Sequence, residues 1–113
     1  ESFETADKLL EKSIESDPDQ PEGYFLRGEL SFARENFPAA LDSFQAAESR
    51  LTADTHYYSY GEHFDSIAIL AKRGMCLYRL ERLAEAKELG SQILERQPGN
   101  KIARFLVQKG ETA

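Results

Sequence analysis

Small and large residues recur at fixed offsets through Pro21 to Thr52, PEGYFLRGELSFARENFPAALDSFQAAESRLT, and that spacing restricts the chain to closely packed helix pairs. Tyr24 opens a first helix, Gly28 follows four residues on, and Phe37 marks a turn. Ala40, Phe44 and Ala47 then come at spacings of four and three, which sets them on one stripe of a second helix. Glycine in mid-helix costs about 1 kcal/mol relative to alanine, so Gly28 requires a packing reason. A close helix crossing supplies it: Ala40 and Ala47 are small where the second helix crosses the first, and Phe44 fills the space toward the next helix.

The same register extends in both directions. Phe3, Ala6 and Leu10 stand 34 residues before Phe37, Ala40 and Phe44, so residues 2–16 read as the back helix of an earlier unit, stopped by Pro18. The front helix of that unit is not in the chain, and its apolar edge is expected to meet something upstream. Asp19 is the expected N-cap of the next helix, with Pro21 in its first turn and Glu22 closing a capping box. That helix should run to about Arg34, and Asn36 should cap the following one, with Pro38 again in its first turn, to about residue 51.

Gly74 lies 46 residues after Gly28, and Ala86 lies 46 after Ala40, so the third unit arrives 46 − 34 = 12 residues late. The insertion falls within residues 53–66, ADTHYYSYGEHFDS, where Ser59-Tyr60-Gly61-Glu62 resembles a capping box and predicts a long helix from near Tyr60 to about Leu80. A fifth helix is expected over 83–96 with Ala86, Leu89, Ile93 and Leu94 inward. Asn100 should cap a sixth over Lys101 to Lys109, with Gly110 as its C-cap, a place expected to tolerate a larger side chain. None of the six segments reads as a strand.

This pattern resembles the tetratricopeptide repeat, whose 34-residue signature is W-x2-L-G-x2-Y, then A-x3-F, then P. The resemblance covers about residues 1–109. It implies an all-α fold, a right-handed superhelix of stacked antiparallel helix pairs. The units are the second helix of a truncated repeat at 1–18, a full repeat at 21–52, the insertion at 53–66, a third repeat at 67–98 and a capping helix at 100–110, together one domain. Three positions depart from the signature. Arg27 and Arg73 occupy the apolar position before each glycine, and Gly90 stands where Phe44 stands one unit earlier. The gap left at Gly90 is expected to be filled from the last helix by Phe105 or Leu106, which would make that helix an integral cap.

What the resemblance implies for function is a scaffold that binds other proteins. The front helices of such arrays line a concave groove, and the matching positions here are Glu22, Phe25, Glu29, Phe32 and Ala33, then Ala68, Ala71, Met75, Tyr78 and Arg79. Chaperone-binding members hold a terminal carboxylate with Lys and Asn at such positions. Phe25, Leu26 and Glu29 take their place here, so a carboxylate clamp is not expected. The apolar members suit an amphipathic helix or extended segment, and Glu22 and Glu29 favour a basic flank on that partner. The rival reading is a structural or self-associating segment whose groove is filled by a neighbouring copy.

Composition narrows the other classes. Fourteen basic against twenty acidic residues give a formal charge of −6, the wrong sign for affinity built on phosphates, so nucleic acid is not an expected partner. No run reaches the roughly 18–20 apolar residues of a membrane span, and ESFETADKLLEK has no signal-peptide core. Cys76 is alone, among Gly74, Met75 and Leu77, and reads as a small buried hydrophobe. His56 and His63 with Asp54, Glu62 and Asp65 read as solvated residues near a helix start, since Gly61 interrupts the continuous helix a metal site there would need. Tyr57, Tyr58, Tyr60 and Phe64 are expected to pack on the preceding helix pair, with partner contact as the second reading. No phosphate-binding loop, paired carboxylate or nucleophile with a base is present in the pattern, so neither catalysis nor a cofactor is expected.

Overall fold

Prolines and short polar side chains decide where the helices begin, and the computed structural model, which describes residues 2–51, 57–59 and 62–111, contains six of them. They are α1 (Ser2–Ser16), α2 (Pro21–Ala33), α3 (Phe37–Glu48), α4 (Ser66–Arg79), α5 (Leu83–Arg96) and α6 (Lys101–Glu111). Between α3 and α4 lies a short antiparallel hairpin of β1 (Tyr57–Ser59) and β2 (Glu62–Phe64). Apart from that hairpin the domain is all-α. Each helix packs on its neighbours in sequence, and α4 also touches α6.

Asn36, Asp65 and Asn100 cap α3, α4 and α6, each accepting from the backbone N–H three residues on at 3.4, 3.0 and 2.9 Å. Two expected starts are corrected. Asp19 does not cap α2: the N-cap is Gln20, which makes no side-chain cap bond. The proline decides this, because the residue before Pro21 is driven into an extended conformation, seen as φ −94° and ψ 140° at Gln20. Nor does α4 begin near Tyr60. Tyr57, Tyr58 and Ser59 pair with Phe64, His63 and Glu62, so the stretch read as a capping box is spent on a ladder. Helix start passes to Asp65, whose carboxylate is the better cap. β1 packs against α2 and β2 against α4, which fastens the insertion to both repeats. The side chains of 57–64, including the aromatic run and both histidines, lie outside the described residues, as does that of Phe3.

The turns after α2 and α4 are built alike. Asn36 N–H reaches back to Ser31 C=O and Glu35 N–H to Phe32 C=O, while Arg82 and Glu81 make the equivalent bonds to Leu77 and Tyr78. This is the Schellman arrangement, and it forces a left-handed residue at its corner. Glu35 and Glu81 occupy that corner, with φ of 62° and 61°. A side chain in this conformation costs about 1–2 kcal/mol, against about 0.5–1 kcal/mol of extra unfolded-state entropy for glycine. Glu81→Gly should therefore stabilise the fold by about 0.5–1 kcal/mol in urea unfolding; a loss of stability would show that the Glu81 side chain contributes more than its backbone costs.

Helix crossings are set by glycines. A Cβ placed on Gly28 would come within 2.6 Å of the Phe44 ring, which is fully buried and packs edge-on against Phe25 at 5.5 Å between centroids. On Gly74 it would meet Leu106 Cδ1 at 2.5 Å, and on Gly90 the Ala103 carbonyl oxygen at 2.8 Å. Leu106, fully buried, thus fills the space that Gly90 leaves, while Phe105 stays half-buried and stacks edge-on with Tyr78 at 4.9 Å. Gly110 corrects an expectation: it is not a tolerant cap but lies within α6, where a Cβ would strike the Lys87 side chain and come within 3.0 Å of Leu83 C=O. Gly28→Leu and Gly110→Leu should each cost about 1–3 kcal/mol by chemical denaturation. Gly99→Leu, with nothing within 4 Å, should cost less than about 0.5 kcal/mol.

The two arginines that break the repeat signature find polar partners on the adjacent helix. Arg27 Nε donates to Ser43 Oγ at 3.0 Å, and Arg73 Nη1 reaches Glu48 Oε1 at 2.6 Å, tying α4 to α3. Arg50 holds the other end: it stacks on Tyr24 at 4.1 Å and donates to Pro18 C=O at 2.7 Å, fixing the α1–α2 turn.

Candidate functional site

Alternation of front and back helices puts α2, α4 and α6 on one side of the stack, and on that side α2 and α4 stand apart. Small residues on the facing walls, Ala33 on α2 with Ala68 and Ala71 on α4, leave an open cleft of about 440 Å³. Phe32 and Met75 bound it, Phe44 contributes to its lining from α3, and Ile102 reaches it from α6. Its charged lining residues are Glu29 and Lys72, whose Oε2 and Nζ are 3.6 Å apart. What the arrangement offers chemically is apolar volume with one ion pair at its edge, suited to taking up side chains.

Of the ten positions singled out in the sequence, the structure brings Glu29, Phe32, Ala33, Ala68, Ala71 and Met75 together along this cleft. The other four lie elsewhere. Phe25 is 3% exposed and edge-stacked on Phe44, so it belongs to the core and offers no groove surface. Residue 25 shares a stripe with Glu29 and Phe32 but stands two turns before Phe32, where the Phe44 ring packs on it. Tyr78 turns toward α6 and packs on Phe105. Arg79 lies over the Phe37 ring at 4.6 Å, with Nη2 3.9 Å from Glu35 Oε1. Glu22, in the first turn of α2, is half-buried and does not line the cleft.

Besides Phe44, which the sequence assigned to packing between helices, two lining residues were missed. Lys72 stands four after Ala68, one helical turn along the same face, a signal present but overlooked. Ile102 was hidden by the attention given to Phe105 and Leu106, although it is 45% exposed and one of two large exposed hydrophobics among the described residues, with Leu9.

Reactive chemistry finds little footing here. Burial pushes the Cys76 thiol up to about 11, with the nearby Lys72 charge opposing the shift, so at neutral pH it is a protonated, enclosed side chain. Among the described residues no group of three or more His, Cys, Asp or Glu is placed to hold a metal ion, and no helix is long and apolar enough to cross a membrane.

With this geometry in place, comparison with known proteins adds one finding. Residues 1–55, which contain α1, α2 and α3, match the family model described as tetratricopeptide repeat. No curated protein matches the chain.

Proposed function

We propose that this chain, which belongs to the tetratricopeptide repeat family, is an interaction module that receives a segment of a partner protein in the cleft between α2, α4 and α6. Proteins of this family generally mediate protein–protein contacts and are generally non-catalytic scaffolds. The observation that carries the reading is the cleft itself: about 440 Å³ bordered by Phe32, Ala68, Ala71, Met75 and Ile102, beside a core in which Phe44 and Leu106 are fully enclosed. Apolar side chains that the chain leaves facing open space gain from any partner group that removes them from water. Residues 1–113 are taken as one binding unit, since the cleft draws on both repeats and on the last helix.

Peptides selected from a random phage-displayed library against the immobilised chain test this directly. Met75→Glu places a carboxylate in the apolar wall and should weaken the selected peptides by about 2 kcal/mol or more. Asp42→Asn, exposed on α3, should leave them unchanged. Circular dichroism of both variants checks that helix content is kept. Selected peptides that bind Met75→Glu as well as they bind the original chain would place the binding surface elsewhere.

A further inference from the structure

Charge is distributed unevenly along the stack. Residues 1–65 hold fifteen acidic and five basic side chains, a formal charge of −10, whereas residues 66–113 hold five acidic and nine basic, a formal charge of +4. At the two outer helices the difference becomes local. Glu15, Asp17 and Asp19 stand exposed where α1 ends, no basic residue lies in its last turn, and none of the three is ion-paired among the described residues. Arg50, bonded to Pro18 C=O in that turn, offsets one of these charges. Lys101 and Arg104 stand exposed where α6 begins, and no acidic residue lies in its first turn. Both helices thus carry at these ends the sign that opposes their own backbone dipole, whereas α5 has Glu85 in its first turn and Arg96 in its last. Leu9 adds an uncovered apolar side chain on α1. It stands 34 residues before Ser43 and 80 before Leu89, the matching places on α3 and α5. Those two are 3% and 7% exposed, with Arg27 of the helix in front bonded to Ser43, while Leu9 is 65% exposed.

We propose that the outer face of α1 receives a second copy of this chain, joined end to end and outside the cleft, so that the start of α6 in one copy lies against the end of α1 in the next. Successive helices of the stack run antiparallel, and an added helix that keeps this sense sets the first turn of α6 beside the last turn of α1. Lys101 and Arg104 then meet Glu15, Asp17 and Asp19, and each helix receives from its neighbour the charge that its own end lacks. Leu9, about 9 Å back along α1 from Glu15, comes under the incoming helix and leaves water. Copies joined α1 to α1, or α6 to α6, would instead bring together halves of like sign. Because the two faces are different surfaces the contact is heterologous, so copies add one after another rather than closing as a pair.

Sedimentation velocity of residues 1–113 at low ionic strength tests the proposal. The weight-average mass should rise steadily with concentration and return to that of a single chain as salt is added. Asp17→Lys with Asp19→Lys, and separately Lys101→Glu with Arg104→Glu, should each weaken association by about tenfold or more. An equimolar mixture of these two variants should restore it, because each then offers the other an end of opposite sign. All four side chains are exposed, and circular dichroism checks that helix content is kept. Leu9→Ser should weaken association about three- to tenfold, again with helix content unchanged. A single-chain mass at every concentration, association indifferent to both reversals, or a mixture no better than its parts would each overturn the proposal. So would association that Met75→Glu abolishes and the reversals leave alone, since that result seats the second copy in the cleft. Peptide binding at the cleft is read separately, so either reading can fail without the other.

Discussion

Phe44→Ala should lower the free energy of unfolding by about 3–5 kcal/mol, the range for a fully buried ring cut back to a methyl group. The ring is enclosed between α2 and α3, with Phe25 edge-on to it and Gly28 presenting bare backbone to its face. Gly28 has no side chain to move into the vacancy, so relaxation is limited and the cost should sit toward the upper part of that range. Phe25→Ala should destabilise comparably, since it opens the same space from the other side. Urea unfolding followed by circular dichroism reads both. A loss below about 1 kcal/mol for Phe44→Ala would remove the ring from the core and with it the register of the repeats.

Leu106→Ala is the second large effect, expected at about 2–5 kcal/mol. One leucine on α6 meets two glycines: its Cδ1 lies 2.5 Å from where a Cβ on Gly74 would stand, and its Cβ lies 3.1 Å from the equivalent point on Gly90. Truncation therefore opens the packing of α6 against α4 and α5 together. Ile102→Ala on the same helix is the comparison, because that side chain is 45% exposed and should cost less than about 1 kcal/mol. Limited proteolysis should cut the Leu106→Ala chain between α5 and α6 while sparing Ile102→Ala. Equal stability of the two variants would mean that α6 is not the seal of the stack.

Much of the architecture was legible because a repeat states its packing rules more than once. Gly28 with Phe44 and the span of α5 follow from offsets that recur, as does the gap at Gly90, for which Phe105 and Leu106 were both candidates; the caps Asn36 and Asn100 follow from residue type at the start of each helix. Features that occur once were harder to read. The insertion has no second copy to compare with, and Ser59 to Glu62 satisfies a helix-start pattern while its aromatic neighbours favour a strand; tertiary pairing decides between them. Gly110 was misjudged because a glycine at a helix end reads the same whether it relieves a turn or admits a neighbour. The site was half legible. Positions along α2 and α4 gave the walls, but Phe25 shares its stripe with Glu29 and Phe32, and only its packing on Phe44, two turns before Phe32, puts it in the core. The part contributed by α6 depends on how that helix docks, which no repeat spacing records.

The pattern of helix contacts also sets the order in which the molecule comes apart. α4, α5 and α6 form a closed triangle, each touching the other two, whereas α1 meets α2 and the chain from α1 to α3 is joined link by link. In a linear array each unit draws its stability from its neighbours, so a helix with one neighbour opens before a helix with two. Fraying therefore enters at α1 and advances toward α3, and the triangle is the last part to lose its protons to solvent exchange. The cleft lies across that gradient, with one wall on the half that opens early and the other on the half that persists, so a partner seated in it would clamp the loose half to the firm one and slow exchange as far back as α2.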